Sequence, residues 1–258
     1  MDNYIQMISN KTLDFFNKNK DCTWTMPVVP KDLLDSGDNF AISRWLLNNP
    51  QFGWLKLDLE FDLDVWKQEA EHAIGKFVSH RDDESSGWNS CCIHGIDVDK
   101  TGAWTTYGYT NEDDVPYRWT ALSEQTPSIK NFWNNTFPSE KYRRIRFMEV
   151  EANGEVAPHS DMPGKLPGEE NFDPLDFGVP VNIALVHPKD CHMILEGFGI
   201  LPWKEGEAYV INIRHYHAVA NFSNVPRIHM IGHGIFGNRK KDFADLIVRS
   251  YKKFHEHN

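Results

Sequence analysis

A chain of 258 residues is long enough for one large domain or two small ones. It is 40% hydrophobic, 13% aromatic and 25% charged, which suits a soluble protein with a sizeable core. Its 37 acidic residues outweigh 27 basic ones, a formal net charge of −10 that argues against a nucleic-acid partner. No run approaches the roughly eighteen apolar residues of a membrane span, and the first residues lack a basic stretch followed by an apolar one, so neither a span nor a leader is expected. Cys22, Cys91, Cys92 and Cys191 form no CxxC pair, and a reducing, cytoplasmic compartment is the simplest expectation.

Tyr4, Ile5, Ile8, Leu13, Phe15 and Phe16 recur at helical spacing and predict an amphipathic helix over 3–20. Residues 21–53 hold Pro27, Pro30, Gly37 and Pro50, and read as an irregular arm with one helical piece at Asn39–Leu47. Residues 1–53 are therefore expected to form an arm packed on a core of residues 54–258. Within that core, Trp54–Phe61 alternates apolar with charged and predicts a strand. Asp64 is placed to cap a helix reaching Val78, with Trp66, Ala70, Ala73, Ile74 and Phe77 inward. Strands are expected at Ser86–Ile96 and Trp104–Tyr109, and a helix from Thr126-Pro127-Ser128 to Phe137, with proline near its start. Beyond Arg144 the pattern is β: Arg144–Val150, Val156–Asp161, Val181–Val186, His192–Glu196, Ala208–Ile213, Ala218–Phe222 and Arg227–Gly234, separated by turns such as Asn153-Gly154. Many short strands at this spacing predict a mainly β (α+β) fold, a double-sheet jelly roll or barrel, with flanking N-terminal helices. The Pro/Gly-rich stretch 162–180 has the length of a lid.

His159-Ser-Asp161 places two ligands two residues apart, hence on one face of a strand end. A third must come from a neighbouring strand. His215, His217 and His229 crowd the region that would supply it, and the ten-residue step to Arg227 favours His217. His215 then reads as a peripheral residue, and His229 and His233 as lining the strand that carries Arg227. Two imidazoles and a carboxylate on one face of iron(II) leave positions for a bidentate 2-oxo acid and for O2. Arg227, in an apolar strand, is rarely buried without an anion and can fork onto the far carboxylate of 2-oxoglutarate. A lone HxD occurs by chance; HxD, a histidine some sixty residues on and an arginine ten beyond, all in β-patterned sequence, is far more specific. Substrate contacts are expected from Trp88, Trp104, Tyr107, Arg118, Trp119, Arg146 and Asn182 around the barrel mouth. Each competes with a plain core role, and Arg146, if inward, would favour a substrate carboxylate.

At these residues the chain resembles the aspartyl/asparaginyl β-hydroxylase-like family of iron(II)/2-oxoglutarate dioxygenases, which includes bacterial proline hydroxylases. The resemblance runs from near Phe61 to about Gly234. Its strongest parts are Arg146-Phe-Met-Glu-Val-Glu-Ala-Asn-Gly-Glu-Val-Ala-Pro-His159-Ser-Asp161, Trp203-Lys-Glu-Gly206-Glu-Ala-Tyr-Val-Ile-Asn212 and His217-Ala-Val-Ala-Asn221-Phe-Ser-Asn-Val-Pro-Arg227-Ile-His. It implies a double-stranded β-helix, with iron on His159, Asp161 and His217 and 2-oxoglutarate on Arg227. It also implies hydroxylation of an aliphatic C–H of an amino acid or peptidyl side chain (Asp/Asn/Pro-type), with succinate and CO2 released. Some relatives carry an arginine where this chain has Asn182, which can hydrogen-bond a co-substrate carboxylate but not neutralise it. The first fifty residues match nothing in the family and would cover the barrel or build an interface between copies. The rival class, a non-catalytic cupin-like metal or ligand binder, usually sets two or three histidines beside a glutamate, unlike HxD with a distal arginine.

Overall fold

The computed structural model describes residues 8–80, 85–161 and 173–256. Three helices come first: α1 (Asn10–Asn19), α2 (Lys31–Ser36) and α3 (Asn39–Asn48). Ser9 and Asp38 cap α1 and α3 by accepting from the backbone N–H of Thr12 and Ala41. The expected first helix is thus present from Asn10; its earlier residues 3–7 lie outside the described ones. Then follow β1 (Trp54–Lys56), α4 (Leu63–Ala70), β2 (Val78–Ser79), β3 (Trp88–Gly95), β4 (Arg118–Trp119), α5 (Pro127–Asn131), β5 (Lys141–Val150) and β6 (Glu155–His159). The chain closes with α6 (Pro174–Phe177), β7 (Val181–Val186), β8 (Cys191–Leu195), β9 (Gly199–Ile200), β10 (Ala208–Ile211), β11 (His217–Asn221), β12 (Arg227–Ile235) and α7 (Lys240–Glu256).

The strands form two antiparallel sheets. The larger runs β1-β10-β7-β12-β5-β3-β2 with β4 on β3, and the smaller runs β6-β11-β8-β9. Facing sheets from alternating antiparallel strands are the jelly-roll arrangement expected of the pattern. Strand alternation divides the large sheet cleanly. Ile145 and Phe147 of β5, Ile183 and Leu185 of β7 and Met230 of β12 enter the outer core with Leu46 of α3 and Phe243 and Ile247 of α7. Their neighbours Arg144, Arg146, Asn182, Arg227, Ile231 and His233 face the space between the sheets. A second core fills that space away from the cleft, with Trp54, Val150, Ala184, Leu195, Trp203 and Tyr209.

Several elements differ from expectation. Trp104–Tyr107 is a 3-10 turn rather than a strand. Its backbone is satisfied locally: Thr106 donates to Ala103 O, and Tyr107 Oη accepts from the N–H of Gly102 at 2.9 Å. The helix expected from Asp64 is capped by Asp62 instead, becomes 3-10 after Ala70, and leaves Ile74 69% exposed rather than inward. The strand from Trp54 stops at Lys56, because Asp58 turns to Ser250, Arg249 and Lys253 of α7. After α5, a π-helical turn at Phe132–Thr136 continues to the expected end. Helix α7, which was not expected, packs on α3 beneath the outer face.

Candidate active site

His159 ends β6, an edge strand of the small sheet, where the preceding Pro158 costs no ladder hydrogen bond. His217 opens β11 directly opposite it in register, and the register shifts just beyond, between His217 and Val219. Antiparallel partners bring side chains close, and the two imidazole centroids are 4.4 Å apart. Asp161 lies past the strand, fixed by its N–H to Ile213 O (3.0 Å) and by Ser160 Oγ to Arg214 O (2.9 Å). Its Oδ1 is 3.9 Å from His159 Nε2. Together His159, Asp161 and His217 offer three donor atoms within 4.8 Å of one another.

The backbone also fixes the tautomers. His159 Nδ1 lies 2.8 Å from Ala157 O, and His217 Nδ1 3.0 Å from His215 O. A carbonyl accepts only, so each Nδ1 carries the proton and each Nε2 keeps its lone pair for a metal. Trp88 packs against His159 with centroids 5.5 Å apart. His215 contributes only its carbonyl; its ring lies on Phe198, and burial lowers its pKa.

A cleft of about 1010 Å³ surrounds the triad. Arg227 lines it, only 3% exposed, with its Nε unpartnered. Burial pushes its pKa down to about 10, so it stays cationic at neutral pH. It donates from Nη2 to His229 Nδ1 (2.8 Å) and lies over the Trp203 ring at 5.3 Å. A desolvated guanidinium with an unsatisfied Nε beside a metal triad fits a carboxylate ligand. Asn182 also lines the cleft, but turns its amide onto His229 Nδ1 at 2.9 Å.

Arg146 faces inward from β5 and is 5% exposed. It donates to Thr101 O (2.9 Å) and approaches His80 Nε2 (3.3 Å) and His233 Nε2 (3.4 Å). Burial, then the charges of Arg146 and Arg144, push the pKa of His233 far below its ordinary value, so its ring is neutral. Trp88, Trp104 and Tyr107 share this wall. Arg118 and Trp119 are not among the lining residues: Arg118 is exposed on β4, and Trp119 sets its ring edge-on to His94, 5.0 Å away, against the outer core. His80, Glu112 and Arg144 join the lining without a sequence expectation. Arg144 was legible, being two residues from Arg146 on the same strand face; His80 arrives on a separate segment and left no local signal. Residues 162–172, the main part of the expected lid, lie outside the described ones.

Residues 61–233 match the family Aspartyl/Asparaginyl beta-hydroxylase, two thirds of the chain. The chain belongs to this family. It is thereby an oxidoreductase of the hydroxylase kind, and His159, Asp161 and His217 are a group that could hold a metal ion. A comparison with curated protein sequences gives no match. Among solved structures, the chain is similar to an oxidoreductase of the 2OG-Fe(II) oxygenase family from Burkholderia pseudomallei. Identity there is 12%, over 75% of this chain and 88% of that one, with a TM-score of 0.46. A prolyl hydroxylase from Trichoplax adhaerens, in complex with a hypoxia inducible factor peptide, shares 12% identity over 83% and 97% of the two chains, with a TM-score of 0.43. A Pseudomonas putida prolyl-4-hydroxylase shares 15% over 71% and 92%, with a TM-score of 0.39.

Proposed function

We propose that this hydroxylase of the aspartyl/asparaginyl family oxidises an aliphatic C–H bond of an amino acid or peptidyl side chain that bears a carboxylate. His159, Asp161 and His217 would hold iron, Arg227 the distal carboxylate of 2-oxoglutarate, and Arg146 the substrate's acid group. The observation that carries the reading is the placing of buried Arg227 and buried Arg146 in the same cleft as the triad. Each cation suits one carboxylate, and the family's co-substrate accounts for only one of them.

Iron(II), 2-oxoglutarate and O2 together supply the oxidising power that inserts one oxygen atom into C–H, releasing succinate and CO2. The protein's own residues orient and desolvate. The carbonyls of Ala157 and His215 fix both imidazoles with Nε2 toward the metal position. Arg227 can fork onto the co-substrate, Arg146 onto the substrate, and Trp88, Trp104 and Tyr107 wall the space between the reacting bond and water.

A panel of free amino acids and acidic peptides, incubated with the iron-loaded enzyme, tests this reading. The expected result is a product one oxygen heavier, formed with succinate in equal amount. Arg146→Met should raise the KM for that substrate about tenfold or more while leaving the KM for 2-oxoglutarate unchanged. Absence of succinate under every condition, coupled or uncoupled, would overturn the oxygenase assignment. A best substrate without an acid group would overturn the role of Arg146.

A further inference from the structure

Behind Arg227 lies a chain of imidazoles that the metal chemistry does not use. His229, two residues along β12 and fully buried, places Nδ1 2.8 Å from Arg227 Nη2. Its Nε2 lies 2.9 Å from Nδ1 of His187, just beyond the end of β7. Trp203 sets its ring edge-on to His229, centroids 4.6 Å apart, and also underlies the Arg227 guanidinium.

The hydrogen positions follow from donor chemistry. A guanidinium only donates, so His229 Nδ1 must present a lone pair. Its Nε2 therefore carries the proton and donates to His187 Nδ1. Amide oxygen and nitrogen are interchangeable by shape, so Asn182, whose Oδ1 is placed 2.9 Å from the same Nδ1, meets that lone pair properly only with its NH2 turned toward it. Proton loss or gain at His229 would break this order. Complete burial, then the charges of Arg227 and His187, hold its pKa far below the ordinary value, so it stays neutral.

We propose that His229, in the tautomer protonated at Nε2, is a positioning residue that aims Arg227 at the distal carboxylate of 2-oxoglutarate, with His187 and Asn182 setting that tautomer and orientation. The proposal rests on the assignment of Arg227 made above. With Nη2 held by His229 and the plane held by Trp203, the guanidinium enters the cleft in one orientation and its Nε remains for the carboxylate. Asn182 then acts through His229 rather than by direct contact with the co-substrate.

The test is the ratio of affinities for 2-oxoglutarate and for 2-oxobutyrate, which lacks the distal carboxylate, measured by calorimetry on the Mn(II)-loaded protein. The wild type should prefer 2-oxoglutarate by about a hundredfold. His229→Leu should reduce that preference about tenfold with 2-oxobutyrate binding unchanged, and His229→Asn, which can place an acceptor near the Nδ1 position, should keep most of it. If His229→Leu does not fold, His187→Phe decides the matter, because it removes the acceptor that fixes the tautomer; a fall of about threefold in the preference is expected. An unchanged ratio in the folded variant, or equal loss in the Leu and Asn variants, would overturn the positioning role. A wild type that does not distinguish the two acids would instead overturn the assignment of Arg227, and this proposal with it.

Discussion

Arg227 is a cation almost wholly removed from water, with Nε unpartnered and a neutral imidazole as its close partner. In the proposed assignment a ligand carboxylate would replace the lost hydration. Arg227→Ala should raise the 2-oxoglutarate KM about a hundredfold with metal affinity intact, and Arg227→Lys should not restore it, because an ammonium lacks the fork geometry. Steady-state kinetics at varied 2-oxoglutarate checks both; an unchanged KM in the alanine variant would mean that the anchor lies elsewhere. At this scale the sequence was informative where spacing encodes geometry. Arg227, His229 and His233 share one face of a strand, and the HxD spacing brought His159 and Asp161 together although the strand ends at His159 and a backbone bond to Ile213 O holds Asp161 beyond it. It was uninformative where partners meet only through the fold: Arg118 and Trp119 share the aromatic, basic character of true lining residues, but β4 carries them to the margin of the large sheet.

Strand β12 links the two faces of the large sheet, with Arg227 on the inner side and Met230 in the outer core, where Trp133 Nε1 approaches its sulfur at 3.0 Å. Helix α7 covers that outer face, and its Phe243 stacks on Phe236 with centroids 3.8 Å apart. Phe243→Ala should therefore cost about 3–5 kcal/mol of stability while leaving the 2-oxoglutarate KM of the folded enzyme unchanged. Urea unfolding and kinetics on one preparation compare the two; a raised KM at full folding would show that the outer layer sets the site. The β-region from β5 onward was legible because its period-two pattern is long and turn-bounded. Trp104–Tyr107 was not, since aromatic and β-branched residues suit a strand while flanking Gly102 and Gly108 favour the local turn that forms. Helix α7 carries Phe243, Ile247, Ser250 and Tyr251 at helical spacing, a signal of the same kind as that in α1.

Several buried histidines make the whole molecule sensitive to acid. Burial holds His94 and His187 down to about 4, and His229 and His233 well below their ordinary value. Above the unfolded-state pKa of about 6.5 both states are neutral and these groups give no pH dependence. Below it the unfolded chain takes up protons that the folded chain refuses, so stability falls as pH drops from about 6.5 toward 4. Buried His94 and His229 each contribute up to about 1.4 kcal/mol per pH unit, and the partly buried His187 and His233 less. The urea midpoint of the metal-free protein should accordingly fall between about pH 7 and pH 5; a flat midpoint would show these rings to be protonated in the fold. The jelly roll itself was legible as a class, because two facing sheets are the simplest burial for so many short antiparallel strands. The depth of the histidine network was not, since it is assembled from β7, β12 and the segment that follows β7. Equilibrium binding of iron(II) and then of 2-oxoglutarate, compared across the wild type, Asp161→Ala and Arg227→Ala, tests the central assignment most directly. The wild type should bind one iron and take up 2-oxoglutarate tightly only when metal-loaded; Asp161→Ala should lose the metal, and Arg227→Ala should keep the metal but lose the 2-oxo acid. Unaltered iron binding by Asp161→Ala, or unaltered 2-oxoglutarate binding by Arg227→Ala, would contradict it.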